Sequence, residues 1–155
     1  MLYFLKSCLM FISRLLVFSQ FTLLLFLFTP LYLIPTQYGW IAAFVFLSLA
    51  LKLLLYTSMH NKLGNFNIVP EIKEGCSLIT TGPYRFIRHP MYTSVLLVGL
   101  GALSYGFAIF KLGLMLALII VMALKARREE KYWCESSDEY RSYQKKTKMF
   151  IPFVL

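Results

Sequence analysis

Four apolar stretches separated by polar ones set the layout of this chain. Leu15 to Ile34 is about one bilayer span, interrupted by Gln20 and Pro30, and Tyr38 to Ser58 is a second, with Lys52 near its end. Pro35, Thr36 and Gln37 read as a tight turn between them. The apolar run from Met91 to Ala126 is too long for one span and a little short for two. It predicts a helical hairpin broken near Tyr105, Gly106 and Lys111, with spans over 91–107 and 109–126. The other layout open to it is one tilted span plus an interfacial helix. The expected fold is an all-α integral membrane protein of about four transmembrane helices, the last two a hairpin.

The charges provide an independent test of this layout. Lys6 and Arg14 precede the first span, Lys62, Lys73, Arg85 and Arg88 fall between Met59 and Pro90, and Lys125, Arg127, Arg128, Lys131, Arg141, Lys145, Lys146 and Lys148 follow the last span. All three regions fall on one side of the predicted bundle, leaving only Lys111 opposite, while Lys52 can snorkel toward the basic face. The positive-inside rule then predicts both termini and the long loop in the cytoplasm. A secretory signal is a weaker reading of the first apolar run, which is long, aromatic-rich and followed by no small-residue cleavage pattern.

Composition agrees with a membrane protein. Of 155 residues, 59% are hydrophobic and 15% charged, and the mean hydropathy is +0.67, far from a soluble globular chain. The net charge of +9 could suggest nucleic acid, but the basic residues cluster between apolar segments and no nucleic-acid motif is present. The length allows a single domain, 1–155. Cys8, Cys76 and Cys134 are scattered and odd in number, which argues against structural disulfides. No CxxC or His/Cys cluster suggests a metal, His60 and His89 stand apart, and there is no Walker or Rossmann glycine pattern.

Polar chemistry is therefore expected at two places, residues 76–94 and 125–152. A hairpin over the last two segments would bring Tyr84, Arg85, Arg88, His89 and Tyr92 to the point where Lys125, Arg127, Arg128, Glu129 and Glu130 leave the membrane. Gly82-Pro83 reads as a turn, and Pro90 suits the first turn of a helix because its missing N–H costs nothing there. Such a helix start, with Arg85 and Arg88 beside it, would favour an anion. The plain alternative is that the arginines are headgroup anchors, the tyrosines an aromatic belt and His89 a cap. Lys125 and Glu129 share a helix face while Glu130 points about 100° away. An ordinary helical ion pair would explain the first two, yet carboxylates beside so apolar a segment are costly unless paired. Glu135 to Lys148 reads as a solvated or interfacial helix, after which Phe150-Ile151-Pro152-Phe153 would return to an apolar contact.

GPYRFIRHPMY at Gly82 to Tyr92, then the hydrophobic hairpin, Glu129-Glu130, Tyr140, Tyr143 and Ile151-Pro152, resembles the isoprenylcysteine carboxyl methyltransferase family and its phospholipid methyltransferase relatives. The likeness runs from about Asn65 onward, and Asn65-Phe66-Asn67 looks more like the isoprenylcysteine branch. It implies a multi-helix membrane enzyme using S-adenosylmethionine at its cytoplasmic face. Carried onto this chain, the cofactor pocket would involve Leu78, Ile79, Tyr84, His89, Pro90, Met91, Tyr92, Glu129 and Glu130. Lys125, with Arg88, would orient the acceptor. Three departures stand out: Lys125 sits where the family commonly has arginine, a phenylalanine-glycine pair before the tail tyrosines is missing and the interval there looks one residue short, and Ser94 replaces a usual glycine. The resemblance implies methylation of a lipophilic or prenylated carboxylate, with membrane lipids as surroundings. Phospholipid N-methylation is the runner-up, and a non-enzymatic scaffold binding anionic lipid is a third reading.

Overall fold

A computed structural model of the chain describes residues 2–30, 37–61, 65 and 76–152, residues 2–6 by backbone alone. Residues 31–36, Lys62, Phe66, Asn67, Lys73 and Phe153 lie outside the described residues, and with them the end of the first expected span, most of the turn after it and part of the loop triplet.

Five α-helices make up the described chain: α1 Leu2–Leu27, α2 Gly39–His60, α3 Pro90–Tyr105, α4 Ile109–Ser136 and α5 Asp138–Lys146. Two of them overrun the spans expected from hydropathy. α1 begins well before Leu15, because Lys6 and Arg14 interrupt the apolar pattern without breaking the backbone and no glycine or proline precedes Pro30. α4 continues past Ala126 to Ser136 for the same reason, so the glutamate pair sits on the helix that crosses the apolar layer. It ends where Ser137 caps α5, its hydroxyl accepting from the Tyr140 N–H at 3.3 Å.

Three of these helices are long and apolar enough to cross a membrane: α1 from Ser7, α2 and α4. α3 has 16 residues, about 24 Å of helix, and is shorter than a full bilayer span. The expected four spans therefore resolve into three long helices and one short one. Phe11, Phe18, Leu25 and Phe44 are each more than half exposed on the outer surface, where only lipid can cover them without cost.

α2 packs along α3, and α1 along α4. α3 and α4 form the expected hairpin, with Met115, Leu118 and Met122 of α4 packed against Leu27, Ala102 and Phe150. Gly99 lets the two helices approach: a Cβ there would meet Leu118 Cδ2 at 2.9 Å and Met115 Sδ at 3.0 Å.

The chain after α5 lies beside the segment leading into α3. The Arg88 N–H donates to the Lys148 carbonyl at 2.8 Å, the His89 N–H to Met149 at 3.1 Å, and the Lys148 N–H to Phe86 at 3.2 Å. Phe150 is buried in the core, which accounts for the apolar contact expected of the tail, whereas Ile151 remains half exposed.

Candidate functional site

The site is assembled where α3 begins and the apolar part of α4 ends. Gly82 opens a 3-10 turn over Gly82–Arg85 at φ +59°, and a Cβ at this position would run into the His60 ring at the end of α2. Only glycine combines that left-handed conformation with so close a neighbour. Pro90 is the first residue of α3, as its fixed φ favours. Between these two points the chain presents Tyr84, Arg88 and His89 to α4.

Glu130 is fully occupied by its neighbours. Its Oε1 stands 2.6 Å from Arg88 Nε and 3.0 Å from His89 Nε2, and its Oε2 accepts from Gln144 Nε2 at 2.8 Å. The Arg88 guanidinium also donates to the Thr147 carbonyl and, at 3.2 Å, to that of Gln144. Arg88 therefore ties the loop, α4 and the chain after α5 together. No buried side-chain nitrogen or oxygen of Arg88, His89, Glu130 or Gln144 is left without a partner, as a buried ion pair requires.

Glu129 faces the other way, as its position one residue along the helix dictates. Its Oε2 accepts from the Tyr92 hydroxyl at 2.9 Å and lies 3.7 Å from His89 Nδ1, while a third of the side chain stays exposed. The His89 and Tyr92 rings stack at 5.2 Å and 4°. Lys125, one turn earlier, makes no ion pair with Glu129. The residue is 2% exposed, and its ammonium donates to Gln20 Oε1 of α1 at 2.6 Å and lies 5.0 Å from the Tyr92 ring centroid.

Two cavities flank this cluster. A polar cleft of about 470 Å³ is lined by Ser77, Leu78, Ile79, Tyr84, His89 and Glu129, with Trp133, Tyr140 and Tyr143 as aromatic walls. A larger, mostly apolar cavity between the helices is lined by Gln20, Leu47, Leu54, Met91, Tyr92, Val95 and Lys125, among others. Tyr92 belongs to both environments: its ring lines the apolar cavity and its hydroxyl reaches Glu129 at the polar cleft.

The residues expected at the site are thus distributed unevenly. Leu78, Ile79, Tyr84, His89 and Glu129 line the polar cleft, and Met91, Tyr92 and Lys125 line the apolar cavity. Pro90 is buried and lines neither, Glu130 is enclosed behind the cleft, and Arg88 edges the cleft with its guanidinium already engaged.

Other residues come into view only in three dimensions. Asn65 clamps Ser77, donating to its carbonyl at 2.7 Å and accepting from its N–H at 3.1 Å, which fixes the backbone beside Leu78 and Ile79. Ser77 Oγ is buried in the cleft wall with no hydrogen-bond partner among the described residues. Trp133 follows Glu129 by one turn and stacks on Tyr140 at 5.6 Å. Gln20 was visible in the sequence as a polar break in an apolar span, the usual mark of an inward-facing group.

Burial shapes the acidity of the aromatic wall. Tyr84 and Tyr140 are held well above the ordinary tyrosine range, first by burial and then by the negative charge of Glu129 and, for Tyr140, Glu130. Tyr143 is pushed up to about 12 by burial, with Arg88 opposing. Its hydroxyl donates to the Tyr84 carbonyl at 2.5 Å, locking the 3-10 turn to α5. These phenols remain neutral donors at any physiological pH.

A bundle of long apolar helices with a polar cleft where the apolar part of α4 ends defines a class: an all-α integral membrane protein. The sequence profile of the isoprenylcysteine carboxyl methyltransferase family matches residues 41–135, and the chain belongs to that family. It is also similar to the cobalt-zinc-cadmium resistance protein CzcN of Cupriavidus metallidurans, 33% identical over 78 residues that make up 49% of this chain and 36% of that one. A nickel-cobalt-cadmium resistance protein, NccN of Alcaligenes xylosoxydans xylosoxydans, is 32% identical over 82 residues, 52% of this chain and 38% of the relative. The matched segment thus spans little more than a third of each curated relative.

Proposed function

We propose that this protein transfers a methyl group from S-adenosylmethionine to the carboxylate of a lipophilic acceptor of the isoprenylcysteine type. The observation that carries this reading is the hydrogen bond from Tyr92, in the wall of an apolar cavity that Lys125 also lines, to Glu129, in the wall of a polar cleft with aromatic sides.

The polar cleft fits the cofactor. Ser77 Oγ has no partner there among the described residues, Glu129 offers a partly exposed carboxylate to hydroxyl or ammonium groups, and Tyr84, Trp133 and Tyr140 offer flat faces to a heterocycle. S-adenosylmethionine, when bound, supplies an electrophilic methyl group. A carboxylate acceptor is already nucleophilic at neutral pH, so the protein's contribution reduces to alignment and exclusion of water. Lys125 orients the acceptor carboxylate by a charge-assisted hydrogen bond, with Gln20 holding the ammonium in place beforehand. Arg88, His89 and Glu130 position the cleft wall rather than touch the acceptor. The acceptor's apolar chain occupies the cavity between α1, α2 and α3. From the distribution of lysine and arginine, both termini and the site face the cytoplasm.

An amine acceptor, as in phospholipid N-methylation, would bring a cation against Lys125 and need a base. The buried ammonium therefore favours the carboxylate. The deciding experiment titrates detergent-solubilised protein with S-adenosylhomocysteine and then supplies membranes with labelled cofactor and either a prenylated cysteine or phosphatidylethanolamine. Binding followed by base-labile methyl ester on the prenylated cysteine is expected. Label only in lipid amine would replace the acceptor, and folded protein that binds no S-adenosylhomocysteine would leave a scaffold.

A further inference from the structure

A third cavity lies on the far side of α4 from the apolar acceptor cavity, and the methyl-transfer reading makes no use of it. It is an open groove of about 1020 Å³ between the outer face of α4 and the chain at the end of α5. Arg127, Lys145, Lys146 and Lys148 line it, all four exposed. None of these four makes a salt bridge among the described residues. Among the described residues these four charges have no acidic partner, unlike Lys131 and Arg141, which have Glu135 and Asp138. Arg88 backs the groove, but its guanidinium is committed to Glu130.

The groove has an apolar half as well. Ile119 and Ala123 of α4 and Met149 form its lining away from the cations. Ile119 lies eight residues before Arg127, about 12 Å down the helix, so this lining descends into the part of α4 that lipid must cover. A cationic rim at the membrane boundary above an apolar trough matches one chemistry: a phosphate-bearing headgroup with an acyl chain below it. An inorganic anion would use the rim and leave the trough unexplained, and an acidic peptide would have no reason to reach Ile119.

We propose that this groove is a binding site for an anionic phospholipid, separate from the methyl-transfer site and independent of the reaction assigned to it. Its floor includes the Thr147 to Phe150 segment whose backbone pairs with Arg88 and His89. A bound lipid therefore braces the segment that pairs with the chain leading into α3.

The test uses the whole chain, purified in neutral detergent and exchanged into mixed micelles of phosphatidylcholine with phosphatidylglycerol, with retained lipid counted by native mass spectrometry. Preferential retention of phosphatidylglycerol is expected, falling about fivefold for each rim charge removed in a Lys145→Gln, Lys148→Gln pair. A pair taken from elsewhere on the surface, Arg14→Gln with Lys131→Gln, should leave retention within about twofold of wild type. A Lys145→Arg, Lys148→Arg pair keeps the charge and should keep the lipid, so loss of fold in the glutamine pair, read by circular dichroism, does not end the test. Equal retention in the glutamine pair and wild type overturns the proposal, as does equal loss in the control pair. Displacement of the lipid by millimolar inorganic phosphate alone would make the rim a free-anion site and overturn it too.

Discussion

Arg88 Nε and Glu130 Oε1 stand 2.6 Å apart, with 9% and 7% of the two side chains exposed, and the pair joins the loop before α3 to the end of α4. Removing one member leaves an uncompensated charge beside His89. Arg88→Ala or Glu130→Gln should cost about 3–5 kcal/mol, whereas an apolar double replacement, Arg88→Met with Glu130→Leu, should be markedly less harmful than either alone. Thermal unfolding in detergent measures the difference. Additive losses would show that the two residues do not act as a unit.

Glu129 should behave differently from its neighbour. Glu129→Gln keeps the shape and loses the charge that faces the polar cleft, so S-adenosylhomocysteine affinity should fall about tenfold or more, with little change in melting temperature. Tyr92→Phe, which removes the hydrogen bond to Glu129 Oε2, should cost about fivefold. Isothermal titration calorimetry separates these values. The assignment fails if Glu130→Gln weakens binding in folded protein while Glu129→Gln does not.

Lys125 is assigned to the acceptor alone. Lys125→Met should raise the acceptor KM about thirtyfold, the loss of one charge-assisted hydrogen bond, and leave S-adenosylhomocysteine affinity unchanged. Gln20→Leu should move KM in the same direction by less, since it frees the ammonium that Gln20 holds. Steady-state kinetics with a short prenylated cysteine supplies both parameters, and an unchanged KM in Lys125→Met would remove the residue from the site.

Tyr143 contributes to an alkaline limit on the fold, and the buried Tyr84 and Tyr140 act in the same direction. The ordinary value of 10.0 for Tyr143 rises to about 12 in the folded chain because burial disfavours the phenolate. The folded state then keeps a proton that the unfolded state has already lost. Stability from this group is intact below pH 10.0 and disappears as pH rises toward about 12. Tyrosinate absorbance should lag behind that of free tyrosine and appear together with loss of helical circular dichroism. In Tyr143→Phe the alkaline transition should move to higher pH, against a baseline lowered by the lost bond to the Tyr84 carbonyl.

Much of this architecture was legible from apolar length. The second span, expected over 38–58, is the helix Gly39–His60, and the hairpin turn falls at Gly106. Hydropathy misjudged α1 and α4 because a charge lowers an average without ending a helix, and only glycine, proline or a capping group does that. At the site, the run from Tyr84 to Tyr92 and the glutamate pair were expected to meet, and they do. The helix angle already separated the two glutamates, but their partners were not legible: nothing local in the sequence says that Glu130 meets Arg88 and Glu129 meets Tyr92. Gln20 and Lys125 are 105 residues apart, and no local pattern announces so distant a contact.

The backbone pairing of residues 86–89 with 148–149 also has a consequence for biogenesis. Arg88 and His89 leave the ribosome long before Thr147 and Phe150, so α3 enters the bilayer with its polar end still unpartnered. The cleft cannot close until the later segment arrives and threads beside it. Methyl-transfer competence, on the function proposed, would thus wait for the segment through Phe150, and a change that displaces Phe150 would leave an inserted but inactive bundle.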